Sequence, residues 1–133
     1  QKHEPCYYCF KRGKIVNWYG STTEVTVWDI DRASVNEFHP TQKPIALCAR
    51  ALQNSSREAD LILDLYLGSG TTLIAADQLD RICYGLEISE KYCDVIVKRY
   101  INHTGTSEDI YVERNGKRLS WEESQRRQKV HVC

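Results

Sequence analysis

No excess of charge marks this sequence: 18 lysines and arginines balance 18 aspartates and glutamates among 133 residues. A domain that grips nucleic acid by itself carries a basic face and a high isoelectric point. This chain is therefore not expected to supply most of any nucleic-acid affinity, and its basic runs at residues 11–14 and 126–129 read as solvated faces. Long apolar runs are missing as well, since residues 61–63 and 95–97 are far too short to cross a bilayer. From Gln1 onward the first residues are polar, without the apolar stretch of a secretion signal, so a cytoplasmic protein with no membrane contact is expected. A first residue other than Met reads as a fragment of something longer.

A second C-x-x-C is also absent. Of six cysteines, at 6, 9, 48, 83, 93 and 133, only Cys6 and Cys9 lie close together, and no His pair follows at zinc-finger spacing. Neither a metal site nor a disulfide framework is expected, and the cysteines read as reduced. What remains is ordinary globular material. A hydrophobic fraction of 41% excludes wholesale disorder, and the length suits one domain that folds without staples.

Residues 5–10 are aromatic-rich and read as a strand closed by a turn at Gly13; residues 24–30 read as a second strand. Asn17 to Ser21 is turn-like, with Trp18, Tyr19 and Trp28 read as packing groups. Thr41 is placed to cap a helix, with Pro44 near its first turn and Ile45, Leu47, Cys48, Ala51 and Leu52 at helical spacing until Asn54-Ser55-Ser56. Residues 61–67 form a near-continuous apolar run, expected of a parallel strand buried on both faces. Gly68-Ser69-Gly70 breaks it, a helix follows over 71–79, and a second buried strand over 81–88 reaches Glu87. Ser89 is expected to cap a helix carrying Tyr92, Val95, Ile96, Arg99 and Tyr100, which completes a βαβα unit. Asn115-Gly116 predicts a hairpin, and Ser120-Trp121-Glu122-Glu123 a capping box opening a last polar helix.

The chemistry concentrates at the glycine turn. A Gly-rich turn lets backbone approach a ligand closely, and the next helix offers free N–H groups at its start. Glu87 stands 23 residues beyond Asp64, at the tip of the next strand, where a doubly wound fold places a carboxylate for ribose hydroxyls. An adenosine-containing cofactor is the physical expectation. Position 73 is leucine where a dinucleotide fingerprint wants glycine, and no Gly-Lys-Ser/Thr is present. Asp64 beside the turn suits a cationic amino group better than a pyrophosphate, so S-adenosylmethionine fits best; otherwise Asp64 and Glu87 would merely cap neighbouring elements. His39 before Pro40 reads as structural, and His3, His103 and His131 show no partner at useful spacing.

In this order, His39-Pro40-Thr41-Gln42-Lys43-Pro44, Asp64-Leu65-Tyr66-Leu67-Gly68-Ser69-Gly70-Thr71-Thr72 and Gly85-Leu86-Glu87-Ile88 resemble the amino-group DNA methyltransferases, which modify adenine N6 or cytosine N4. The order further resembles their permuted (β) class of phage type, as do Asn54-Ser55-Ser56, residues 27–32 and residues 91–100. The resemblance covers roughly residues 25–105. It implies an α/β fold: a partial Rossmann-like S-adenosylmethionine-dependent methyltransferase sheet with a C-terminal hairpin and helix. It also implies roles for single residues. Thr41, Gln42 and Lys43 would lie by the methionine end of the cofactor, Lys43 on its carboxylate, and Asp64 would face its amino group. Tyr66 would line the cofactor, Gly68, Ser69 and Gly70 would make the close turn, and Thr71 and Thr72 would open the helix. Glu87 would hold the ribose and Ile88 would pack near the adenine.

One family signature is missing. The Asp/Asn/Ser-Pro-Pro-Tyr/Phe tetrapeptide that receives the target amino group has no counterpart, because the three prolines at 5, 40 and 44 are never adjacent. In the permuted class it would lie upstream of residue 1, so the chain is expected to be a cofactor-binding portion without catalytic residues of its own. Residues 1–38 would then supply edge strands and the link to a target-recognition region, 39–105 the cofactor core, and 106–133 a tail. Double-stranded DNA and the N-terminal catalytic part are the expected partners, with self-association possible for a cut fold. The alternatives are the cofactor half of an RNA or small-molecule methyltransferase, and a catalytically dead DNA-binding or assembly domain.

Overall fold

The computed structural model of the chain describes residues 3–31 and 43–130. The Thr41 cap, Gln42 and His39 lie outside them. The elements run α1 (Ile45–Ser55), β1 (Leu61–Asp64), α2 (Thr71–Gln78), β2 (Ile82–Gly85), α3 (Glu90–Thr104), β3 (Tyr111–Arg114), β4 (Lys117–Ser120) and α4 (Trp121–Val130). β1 and β2 pair in parallel, Leu61 beside Ile82 through Asp64 beside Gly85. Two more bonds carry the pairing past the strand ends, from Leu86 N to the Asp64 carbonyl and from Leu67 N to the Leu86 carbonyl, both 2.9 Å. α2 packs on β2 and against α1 and α3. Its Ile74, Ala75 and Ala76 are the apolar residues most fully enclosed among those described.

The parallel strands are not buried on both faces as their composition predicts. Leu61, Leu63, Ile82 and Tyr84 share one face in register and each is more than half exposed, while Ile62, Cys83 and Asp64 are partly buried. The alternation arises because the described helices shelter one side of a two-stranded sheet only.

Residues 5–10 and 24–30 form no strand. Aromatic and β-branched composition favours extended backbone, but a strand needs a partner to satisfy its N–H and C=O groups, and here the indoles close local turns instead. Trp18 Nε1 donates to the Ser21 carbonyl (3.1 Å) and Trp28 Nε1 to that of Val25 (3.0 Å). The segment nevertheless docks on α1. Tyr19 N donates to the Asn54 carbonyl at 2.9 Å, Arg50 Nε donates to Glu24 at 2.6 Å, and the Arg50 guanidinium lies 4.9 Å over the Trp28 ring. The turn at residues 11–14 does form, closed by a 3.1 Å bond from Lys14 N to the Lys11 carbonyl.

α3 is tied to α2 through one carboxylate. Asp77 accepts from Tyr100 Oη at 2.7 Å and meets His103 Nε2 at 2.9 Å, so His103 does have a partner, 26 residues away and invisible to local spacing. The bond to Asp77, with help from burial, pushes the Tyr100 phenol up to about 12. Ser89 holds the N-cap position of α3 through its backbone, its side chain making no cap bond. At the C-terminal end the hairpin turns on Asn115 and Gly116, both at positive φ, as a type I′ turn requires. The capping box also forms: Glu123 N donates to Ser120 Oγ (3.3 Å) and Ser120 N to Glu123 Oε2 (3.1 Å).

The Arg50 guanidinium, through its hydrogen bond, holds the Glu24 carboxyl below the ordinary value of 4.5. A depressed carboxylate stabilises above its unfolded pKa and loses that contribution as pH falls through the folded one. Acid titration of tryptophan emission is expected to show a step below pH 4.5 as the segment around Trp28 leaves α1, and the step should vanish in Glu24→Gln. An identical step in the variant would show that Glu24 does not hold the segment.

Candidate cofactor site

The site forms where β1 and β2 deliver their carboxyl ends. Asp64 is the last residue of β1, partly buried, and its Oδ1 accepts from Tyr66 N at 2.9 Å. That bond turns the chain sharply out of the strand. Gly68 (φ +57°) and Gly70 (φ +83°) then adopt left-handed backbone, a conformation that costs a side-chain-bearing residue about 1 kcal/mol or more. At Gly70 a Cβ would also meet Ile96 of α3 at 3.2 Å. The turn closes with a 2.9 Å bond from Gly70 N to the Leu67 carbonyl, and Gly70 occupies the N-cap of α2 without a side-chain cap. The first-turn N–H groups of α2 thus receive no side-chain acceptor from that position, and the positive end of the helix dipole opens on the turn.

Glu87 reaches back to the same turn. Its Oε2 accepts from Gly68 N and its Oε1 from Ser89 N, each at 2.8 Å, so one carboxylate joins the glycine turn to the start of α3. A carboxylate has about four acceptor positions, which leaves capacity beyond those two bonds. Asp64, Tyr66, Gly68, Ser69, Gly70, Thr71, Thr72, Glu87 and Ile88 are therefore gathered at one end of the sheet. Tyr66 (90% exposed) and Ile88 (100%) stand at its rim.

Lys43 stands just before α1. Its ammonium pairs with Glu4 on the exposed surface, while its carbonyl accepts from Thr71 Oγ1 at 3.4 Å. Thr72 Oγ1 makes a long contact, 3.9 Å, with the Cys48 thiol, which burial pushes up. Composition also left Arg99 unassigned. Only 6% exposed, it donates from Nη1 to the Ser69 carbonyl (2.5 Å) and to Ser69 Oγ (2.8 Å). Its signal was a charged residue on the Tyr92–Val95–Ile96 stripe of α3, where the spacing calls for an apolar side chain.

Strands in parallel, a glycine turn after the first, a helix opening on that turn and a carboxylate at the tip of the second define a partial Rossmann-like nucleotide-cofactor fold. The crystal structure of the M1.HpyAVI–SAM complex shares it, with a TM-score of 0.54 and 26% identity over 62% of this chain and 43% of that one. A model of the N6/N4 methyltransferase family, described as DNA methylase, matches residues 11–98, and the chain belongs to that family. It is 38% identical over 82 residues to type II methyltransferase M2.MboI of Moraxella bovis, covering 62% of this chain and 30% of that enzyme. It is 41% identical over 61 residues to type II methyltransferase M.HpaI of Haemophilus parainfluenzae, covering 46% of this chain and 19% of that enzyme. The chain thus spans less than a third of these curated relatives. Among the described residues no helix is long and apolar enough to cross a membrane.

Gly85, the register partner of Asp64, has no room for a side chain: a Cβ would lie 2.4 Å from Leu67 Cδ2 and 3.0 Å from its Cγ. Because three Leu67 carbons crowd the position, Gly85→Ala is expected to cost about 1–3 kcal/mol as an overpacking change. Thermal unfolding followed by circular dichroism should show a melting point lower by several degrees. An unchanged melting point would mean that Leu67 moves aside freely.

Proposed function

We propose that this chain is the S-adenosylmethionine-binding portion of an enzyme that methylates the exocyclic amino group of adenine (N6) or cytosine (N4) in double-stranded DNA. The observation that carries the reading is the pair of carboxylates, Asp64 and Glu87, at the carboxyl ends of adjacent parallel strands with the glycine turn between them. The donor set suits the cofactor. Asp64 complements an ammonium group, Glu87 has spare acceptor capacity for ribose hydroxyls, and a turn with glycine at 68 and 70 and the Ser69 side chain buried admits a ligand against its backbone. Tyr66 and Ile88, exposed at the rim, offer apolar surface to an adenine. Lys43, with Thr41 and Gln42 just before it, would serve the methionine carboxylate, exchanging an exposed pairing with Glu4 for the ligand.

When bound, this cofactor supplies an electrophilic methyl group, and the chain's residues hold and orient it so that binding energy becomes position. Receiving the target base is a task for the Pro-Pro-aromatic tetrapeptide, which this sequence does not contain. The motif order, with His39-Pro40-Thr41 ahead of the glycine turn, supports the permuted class of phage type, in which that tetrapeptide and the target-recognition region precede the cofactor motifs. On this reading residues 39–105 are the cofactor core, residues 1–38 its link toward the recognition part, and residues 106–133 an accessory hairpin and helix. The balanced charge fits a portion that leaves DNA affinity to that other part.

Calorimetric titration with S-adenosylhomocysteine tests the reading. The chain should bind saturably, and Asp64→Asn and Glu87→Gln should each weaken binding at least about tenfold, the scale of a hydrogen bond to a charged group. A folded chain that does not bind, or variants that bind equally well, would overturn it. A second outcome follows from the missing tetrapeptide: with labelled S-adenosylmethionine and duplex DNA, these residues alone should transfer no methyl group. Transfer would refute the division of labour.

A further inference from the structure

We propose that Arg99 is a positioning residue that locks the glycine turn in its ligand-receiving shape from beneath. The proposal rests on the cofactor-binding reading of that turn. Arg99 belongs to α3, outside the three motifs at 39–44, 64–72 and 85–88 though within the 91–100 segment, and its Nη1 meets three acceptors at the turn: the Ser69 carbonyl at 2.5 Å, Ser69 Oγ at 2.8 Å and Thr71 Oγ1 at 3.4 Å. Thr71 Oγ1 in turn donates to the Lys43 carbonyl at 3.4 Å. One guanidinium therefore links the middle of the turn, the first residue of α2 and the chain entering α1.

The burial pattern shows which way these groups face. Ser69 (5% exposed), Thr71 (6%) and Arg99 (6%) are enclosed together, so the Ser69 side chain points to α3 and away from any ligand. Burial lowers the affinity of Arg99 for its proton, but a guanidinium remains charged at neutral pH. A charge kept out of water is tolerated only where it is hydrogen-bonded, and here the Ser69 carbonyl and the Ser69 and Thr71 hydroxyls receive its Nη1. Ile96, one helical turn earlier, fills the space against Gly70. Together the two side chains fix the peptide planes of a segment whose glycines would otherwise allow many conformations. From above, Glu87 holds Gly68 N; from below, Arg99 holds the Ser69 carbonyl.

The test compares the intact chain with Arg99→Gln and Arg99→Lys by S-adenosylhomocysteine titration and by amide hydrogen exchange. In Arg99→Gln, affinity should fall about tenfold, and the amides of residues 68–72 should exchange faster while those of α3 and of the hairpin keep their rates. Arg99→Lys, which retains the charge and one of the bonds, should recover part of both. An Arg99→Gln chain that is folded, binds as the intact chain does and protects residues 68–72 equally would overturn the proposal. Should Arg99→Gln fail to fold, Arg99→Lys decides: an affinity at least threefold weaker supports the lock, and unchanged affinity refutes it. Should the intact chain bind no S-adenosylhomocysteine, the cofactor reading falls, and exchange at residues 68–72 still decides whether Arg99 holds the turn.

Discussion

How the backbone passes from Asp64 into Thr71 governs the rest of the structure. A strand end and a helix start must meet within a few residues, which forces left-handed backbone at Gly68 and Gly70 and exposes N–H groups that the strand no longer pairs. The sequence answers with ionic side chains from distant elements. Glu87 accepts from Gly68 N on one side and Arg99 donates to the Ser69 carbonyl on the other. Charge-assisted bonds of this kind exceed neutral ones in strength, and they fix the turn while the first-turn N–H groups of α2 receive no side-chain cap from Gly70.

This arrangement inverts the usual distribution of polarity. Beside Ile74, Ala75 and Ala76, the buried side chains include the polar Ser69, Thr71 and Arg99 at the turn, whereas Leu61, Leu63, Ile82 and Tyr84 on the outer sheet face are each more than half exposed. Parallel sheets in α/β proteins are covered on both faces, and here one apolar face stays open among the described residues. Both features agree with a chain that spans less than a third of its curated relatives. The polar cluster is held by groups of the glycine turn, of α2 and α3, and of the segment entering α1. A hydrophobic face requires another layer.

What the sequence made legible was local. The glycine turn, the apolar run before it, the helix stripe of α3, the Asn115-Gly116 hairpin and the Ser120 capping box each depend on residues a few positions apart, and each stands in the structure. Long-range pairing was not legible. Arg99 finds Ser69 across 30 positions and His103 finds Asp77 across 26, distances at which periodicity carries no information. The aromatic segments at 5–10 and 24–30 misled for a related reason. Their composition favours extended backbone, but a strand exists only if another strand presents a matching edge, and here Trp18 and Trp28 closed local turns while Arg50 fixed the segment to α1.

Burial also separates the groups that hold the site from those proposed to meet a ligand. Ser69, Thr71 and Arg99 are enclosed, whereas Tyr66 and Ile88 are almost wholly open and Lys43 forms an exposed pair with Glu4. An ion pair on the surface contributes little, typically below about 1 kcal/mol, so Lys43 loses little by exchanging its partner for a ligand carboxylate. The buried guanidinium has no such freedom, since breaking its bonds would strand a charge away from water. A scaffold fixed by buried polar groups and a rim of replaceable contacts let one turn be rigid in backbone and open in surface. That combination is what a cofactor that must enter, be oriented and leave again requires.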